Sequence, residues 1–224
     1  HGPRVSETTP KPVALEAREA GEDGRRFSPS VARNREPIRD AFAEHVSREG
    51  RVLEIASGTG EHGAFLTEAL SGLDWTYSDV DAASRESQKA WVAEATHDRL
   101  HGPLVLDASL ADWGAAEAER PWDVVVSINM VHIAPMAAVE GLFAGAGRLL
   151  KPGGRLFLYG PFGRDGIMAP SNARFSEDLK RRDMEWGVRD LDMELLPLAS
   201  LADLILQDIV EMPAHNLAVV LERT

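Results

Sequence analysis

The chain has 224 residues, of which 44% are apolar and 27% charged, and a formal net charge of -12. That length suffices for one α/β domain with a full core, and the negative balance disfavours non-specific contact with nucleic acid, which needs clustered Lys and Arg to neutralise phosphates. The absence of cysteine excludes disulfides, Cys-based metal sites and a thiol nucleophile, and with no membrane-length apolar run and no apolar signal core at the start a cytoplasmic protein without membrane contact is expected.

Residues 1–27 are rich in Pro, Gly, Glu and Arg without periodicity, and predict a mobile arm ahead of a single domain over 28–224. Ile38, Phe42 and Val46 recur four apart, predicting an amphipathic helix over 35–48 with Pro37 in its first turn. Strand 51–56 then leads to a helix over 61–71, strand 74–80 to a helix over 83–97, and strand 103–108 to a short helical piece over 109–118. Strand 122–129, a helix over 136–150, a turn at Lys151-Pro152-Gly153-Gly154 and strand 155–161 follow. Strands alternating with helices predict a doubly wound parallel sheet with helices on both faces. Residues 163–189 read as a polar, irregular stretch, and 190–203 as a helix. Two strands, 204–212 and 216–223, close the chain as an antiparallel hairpin turned by Pro213-Ala214-His215. The fold class is therefore α/β, a seven-stranded Rossmann-like sheet with a C-terminal hairpin.

The most informative stretch is Val52-Leu53-Glu54-Ile55-Ala56-Ser57-Gly58-Thr59-Gly60-Glu61-His62. A buried strand here turns tightly over a nucleotide-like ligand, and glycines let the backbone bend and the ligand approach. The loop also matches the dinucleotide pattern as Gly58-x-Gly60-x-x-Gly63. Glu54 shifts the balance, because an acid suits a cationic or amine-bearing ligand better than a pyrophosphate. The loop thus favours S-adenosylmethionine over NAD.

Ligands of doubly wound sheets bind at the carboxyl ends of the strands, where the strand order reverses. Glu54, Asp79, Asp107 and Asn129 close the first four strands. Asp79 is placed to accept from ribose hydroxyls and Asp107 from an adenine amino group, while Ala108 offers a backbone N–H to a ring nitrogen. Each acid could equally be a helix N-cap; three at successive strand ends point jointly to a ligand. His97 and His101 fall at a helix end, where histidines bond the last carbonyls, and no metal site is expected.

Val52 to Gly60, Asp79, Asp107, the strand Asp123–Asn129, Lys151-Pro152-Gly153-Gly154 and the terminal hairpin resemble a class I S-adenosylmethionine-dependent methyltransferase over residues 30–224. Ala32-Arg33-Asn34-Arg35-Glu36-Pro37-Ile38, Asn129-Met130-Val131-His132-Ile133-Ala134-Pro135, Tyr159-Gly160-Pro161-Phe162, Pro170-Ser171-Asn172, Trp186-Gly187-Val188-Arg189-Asp190 and Met212-Pro213-Ala214 resemble a group within that class. This is the domain-of-unknown-function 938 group, related to animal methyltransferase-like protein 26. Two departures stand out. Ala56 occupies the usual first loop glycine and is tolerable there with a negative φ. His215 replaces the group's usual asparagine and implies a changed acceptor pocket.

The resemblance implies in-line methyl transfer, in which the enzyme aligns a nucleophile with the S–CH₃ bond and excludes water. Arg33, Asn34, Glu54, Ser57, Gly58, Gly60, Asp79, Asp107, Ala108 and Asn129 are then the donor-binding candidates, with Arg33 pairing the donor carboxylate. His132 is the first candidate proton acceptor, since its ordinary pKa suits a general base; packing at a helix start is the alternative. His215 and Tyr159 are further catalytic candidates. Asn172, Arg189 and Asp190 belong to the 163–190 stretch, which reads as a substrate lid. A small-molecule acceptor fits the acidic surface. An NAD-dependent oxidoreductase and a non-catalytic methyltransferase-like binding protein are the alternatives, and monomer and homodimer both stay open.

Overall fold

The computed structural model describes Glu16 and residues 18–224. The arm expected over 1–27 lies mostly outside the described residues, and its described part is folded rather than free. β1 (Glu19–Ala20) and β2 (Arg26–Phe27) form a small antiparallel hairpin, and Phe27 meets the Trp91 ring edge-on at 5.4 Å between centroids.

Helix α1 (Pro29–His45) starts earlier than its apolar spacing predicts. Val31 and Asn34 are buried along with Ile38, Ala41 and Phe42, so the packed face continues past the apolar residues into a polar one. Proline is tolerated at position 29 because first-turn N–H groups have no helical partner. Pro37, expected at the start of the helix, sits inside it.

One sheet organises the molecule. Its strands are β3 (Glu49–Glu54), β4 (Gly72–Asp79), β5 (Leu100–Val105), β6 (Trp122–Ile128), β7 (Leu150–Pro161), β8 (Leu204–Met212) and β9 (Asn216–Arg223). They lie in the order β5-β4-β3-β6-β7-β9-β8. The first five are parallel, and β9 runs antiparallel to both β7 and β8. The fold is therefore the expected Rossmann-like one, with the terminal hairpin entering the sheet β9 first.

Both faces of this sheet are covered, which is why its inner strands are apolar without interruption. Leu53, Ile55, Val125, Leu156 and Leu158 face one core, joined by Val139, Leu142 and Phe143 of α5 (Met136–Leu149). Val52, Val124, Val126 and Phe157 alternate with them and face the other core, against Ile38 and Phe42 of α1 and Leu66 of α2 (Glu61–Ala69). Period-two alternation sends neighbours to opposite faces.

Several boundaries differ from expectation. β5 ends at Val105, so Asp107 sits two residues beyond its strand. Helix α3 (Ala82–Glu94) stops short of His97, which leaves the helix-end role assigned to that histidine unfilled; its Nε2 meets Thr67 Oγ1 at 3.1 Å instead. The piece expected over 109–118 shrinks to α4 (Ala115–Ala118). Lys151-Pro152-Gly153-Gly154 is a bulge inside β7 rather than a turn before it, since the pairing jumps from Trp122–Leu150 to Val124–Arg155. The stretch read as irregular carries α6 (Pro170–Arg182), and the helix read over 190–203 is a π-turn, Leu191–Leu195, running into α7 (Leu196–Leu201). No helix among the described residues is long and apolar enough to cross a membrane.

Candidate active site

Strand order reverses between β3 and β6, the position at which open α/β sheets bind ligands. A cavity of about 910 Å³ opens there, lined by the carboxyl ends of β3, β4, β6 and β7, the start of α1 and the face of α6. That volume suits a small ligand pair.

The loop after β3 is built for close approach. Gly58 and Gly60 have φ of +61° and +90°, which glycine adopts without cost. The third glycine serves packing: a Cβ on Gly63 would stand 2.6 Å from both Trp75 and Tyr77, so α2 rests directly on β4. Ala56 overturns an expectation. Its φ is +57°, not negative, so it sits in the left-handed region that disfavours a side chain. Ser57 stitches the loop to β4 rather than facing a ligand with its hydroxyl, because its Oγ accepts from Ser78 N at 3.1 Å. Gly60 caps α2 and does not line the cavity; Ser57, Gly58 and Thr59 do.

Glu54 is 1% exposed and lines the cavity, with Trp75 Nε1 donating to it at 3.2 Å. Burial pushes its pKa up to about 8. Without a cation beside it, this side chain keeps its proton at neutral pH. Asp79 is also buried and raised by burial. One oxygen accepts from Gly58 N at 2.9 Å and Gln88 Nε2 at 3.1 Å, the other from Asp81 N at 3.0 Å. A carboxylate offers about four lone-pair sites, so one is left for a ligand hydroxyl. Asp107 closes an Asx turn on Ser109, 2.9 Å from its N–H, and lines the cavity with Ala108. Asn129 takes φ of +59°, a conformation asparagine tolerates, and lines the other side.

The segment before the sheet supplies groups that the sequence did not single out. Glu16 accepts from Ser28 Oγ at 2.7 Å and Ser30 N at 3.1 Å, and pairs Arg33 at 3.1 Å. Arg33 is therefore engaged by Glu16 and largely exposed, where a partner for the donor carboxylate was expected. Arg18 reaches Ser84 Oγ at 3.3 Å and packs over Gly58. His62, in the first turn of α2, is buried, lines the cavity and is lowered by burial to about 4. Its Nδ1 and the Oδ1 of buried Asn34 are buried polar atoms with no partner. Such orphan atoms are uncommon in a native interior, and both residues belong to the cavity wall. His62 stands inside the Gly-rich motif; its spacing from Glu54, one strand-turn-helix unit apart, was the available signal.

Across the cavity, His132 is 4% exposed, and its ring lies 5.7 Å from that of Phe175. Burial first and the Arg189 charge second lower its pKa to about 4, so it is neutral at physiological pH. The Tyr159 hydroxyl is raised by burial and hydrogen-bonded by the side chains of Asn34 and Asn216. Helix α6 covers this side with Asn172 and Phe175, followed by Asp183 and Trp186. Asn172 Nδ2 donates to the His215 carbonyl at 3.1 Å, tying the cover to the terminal hairpin.

Besides Gly60, three predicted site residues stay out of the cavity. Arg189 is turned away, donating to the carbonyls of Ala134 at 2.9 Å and Glu185 at 2.6 Å. Asp190 caps the π-turn through Met193 N at 2.8 Å and holds Gly166 N at 2.7 Å. His215 is exposed and left-handed, φ +58°, directly after Ala214 at +59°. Asn and His both tolerate that region better than most residues, so the histidine reflects backbone conformation rather than a changed acceptor pocket. Among the described residues no group of His, Asp and Glu could hold a metal ion.

Solved structures share this fold, several of them methyltransferases by name. TnmH superposes with a TM-score of 0.69 at 21% identity, over 87% of this chain and 55% of its own. An O-methyltransferase family 2 protein from Planctomyces limnophilus, in complex with apigenin, gives 0.69 at 20% over 87% and 60%. Human N-acetylserotonin methyltransferase, in complex with SAM, gives 0.67 at 15% over 87% and 52%. The chain spans little more than half the length of these proteins. In sequence it is 28% identical over 120 residues to "Highly reducing polyketide synthase 40" of Fusarium mangiferae, covering 54% of this chain and 4% of that protein. The match that spans the domain is to a family model covering residues 25–223, and the chain belongs to that family, described as a protein of unknown function (DUF938).

Proposed function

We propose that the chain is an S-adenosylmethionine-dependent methyltransferase that transfers a methyl group to a small-molecule acceptor by in-line displacement. One observation carries the reading: at the switch point, a buried carboxyl that holds its proton for want of a cation, Glu54, shares a cavity with two buried polar atoms without partners, Asn34 Oδ1 and His62 Nδ1. A ligand with an ammonium group and ribose hydroxyls suits the carboxyls of Glu54 and Asp79, which line this cavity. A pyrophosphate would bring negative charge beside Asp79 and no cation to Glu54, which disfavours the NAD reading. Kinship with the group of methyltransferase-like protein 26 and a cytoplasmic setting belong to the same proposal, supported by the motifs around Arg33, His132 and Trp186.

In this reading Glu54 and His62 hold the amino-acid end of the donor, Asp79 the ribose, and Asp107 with the Ala108 backbone the adenine. The bound sulfonium supplies an already activated methyl group. The protein's own work is to orient the acceptor, exclude water under α6 and receive a proton at the His132 imidazole. The test is calorimetry on the full chain with S-adenosylmethionine, its demethylated product and NAD. Binding of the first two supports the reading; binding of NAD alone overturns it, and binding of none revives the non-catalytic alternative.

A further inference from the structure

The cavity is chemically divided. Its donor side carries Glu54, Asp79 and Asp107, and its two lining arginines are engaged at the N-terminal segment, Arg33 by Glu16 and Arg18 by Ser84. The side formed by the ends of β6, β7 and β9 and by α6 carries few charges. Its polar groups are His132, Tyr159 and the amides of Asn129, Asn172 and Asn216, and its only carboxylate among the described residues is Asp183. Among the described residues no lysine or arginine lines it, and Arg189 is bound to carbonyls behind it. Phe175, Trp186, Pro161 and Pro213 add rings and flat surfaces, beside aliphatic Met130, Ile133 and Ala138.

We propose that the methyl acceptor is an uncharged, flat aromatic molecule presenting a hydroxyl nucleophile, seated against Phe175 and Trp186 of the cover and hydrogen-bonded by Tyr159. This rests on the methyltransferase reading above. An anionic acceptor would lose its hydration in this half with no described cation in the lining to pair it, since Arg189 acts on His132 only from behind the wall, and buried charges meet that cost only when paired. Aromatic walls bury a flat ring with favourable offset or edge contacts. The side chains of Asn34 and Asn216 lie beside the Tyr159 hydroxyl, which lines the cavity with them as a donor a ligand oxygen can use. A hydroxyl nucleophile must also lose its proton, and His132 is a neutral imidazole in the same wall. The electron count is simple: the hydroxyl oxygen forms the O–CH₃ bond, the S–CH₃ bond breaks with its pair remaining on sulfur, and the hydroxyl proton passes to the His132 ring.

The test uses the full chain, S-adenosylmethionine and three probes: naphthol, a hydroxynaphthoate that adds a carboxylate, and cyclohexanol. Product is read by mass spectrometry and by release of the demethylated donor. Naphthol should be methylated with a kcat/KM at least about tenfold above the other two, because the unpaired carboxylate and the non-planar ring each lose their fit. Equal or better use of the carboxylate or the aliphatic probe overturns the proposal. So does methylation of none of the three by protein that binds the donor, and in that case the donor reading stands. Failure to bind the donor removes the methyltransferase reading itself. As a sharper arm, Ser171→Lys places a cation at an exposed lining position and should narrow the naphthol preference by about threefold, the worth of a partly exposed ion pair. An unchanged ratio in a folded Ser171→Lys protein that uses both probes would count against the charge argument.

Discussion

The two halves of one cavity differ in how they are built. The donor half comes from consecutive strand ends, β3, β4 and β5, and its acids Glu54, Asp79 and Asp107 lie in a single stretch, with Glu16, Arg18 and Arg33 added from the segment before the sheet. The opposite half draws on β6, β7, β9, α1 and α6, so that Asn34, His132, Tyr159, Asn172 and Asn216 meet from five separate places in the chain. The difference separates roles: a half made of backbone turns and fixed acids suits a constant ligand, and a half covered by a separate helix suits a variable one.

The comparison breaks most visibly at His132. If the opposite half moves the proton, His132→Ala should lower turnover by about 10²–10⁴-fold, the usual worth of a general base, with donor affinity nearly intact. Steady-state kinetics on a true acceptor with donor calorimetry checks it; near-normal turnover would leave that half with positioning alone. Because burial and the Arg189 charge hold His132 low, at about 4, and a bound sulfonium opposes protonation further, wild-type turnover should be flat with pH from about 5 upward and fall only in acid. A midpoint near the ordinary histidine value would contradict this burial.

On the donor half, Asp79→Ala should weaken donor binding by about 1–3 kcal/mol, since a charged acceptor is lost together with its grip on Gly58. Asp79→Asn separates the parts, because the amide keeps one oxygen for the loop but no charge. Acceptor KM should not move in either variant. A parallel rise in acceptor KM would mean that the halves are coupled.

Glu54 gives the pH signature of the same half. In the free protein its pKa, about 8, lies above its ordinary value of 4.5, so the folded state holds a proton that the unfolded state has released. Its contribution to stability is complete below about 4.5 and is lost as pH rises through about 8. A bound ammonium or sulfonium lowers that pKa. Donor binding at pH 7 should therefore release a proton, and donor affinity should rise with pH until about 8. Calorimetry in buffers of different ionisation heat measures the proton, and Glu54→Gln should abolish both its release and the stability slope.

The smallest expected effect is at Ala56. A left-handed alanine costs about 1–2 kcal/mol, and glycine returns about half of that to the unfolded chain, so Ala56→Gly should stabilise the protein by about 0.5–1 kcal/mol. Chemical denaturation reads it; no gain would place the strain elsewhere in the loop.

The strand-end acids and the Gly-rich turn were legible because they depend on local order: an apolar run, a turn residue and an acid at fixed spacing. The same logic misled where long-range contacts decide. Arg189 and Asp190 share a segment with Trp186, which lines the cavity, yet one is turned onto backbone carbonyls and the other caps a turn. Glu16 and Arg18, in a stretch read as a free arm, come to the cavity mouth through Ser28, Ser30, Arg33 and Ser84. His62 was passed over although it lies within the quoted motif, because nothing in its spacing says that the ring will be buried without a partner.

By itself the sequence determined the alternation of strands and helices, the antiparallel close and the acids at three strand ends, since hydrophobic period and turn chemistry act over a few residues at a time. Tertiary structure alone decided that β9 inserts between β7 and β8, that α6 covers the cavity, and that no described lysine or arginine lines the wall opposite the acids. Those features are set by which distant surfaces bury one another, and burial is a property of the packed chain rather than of any stretch within it.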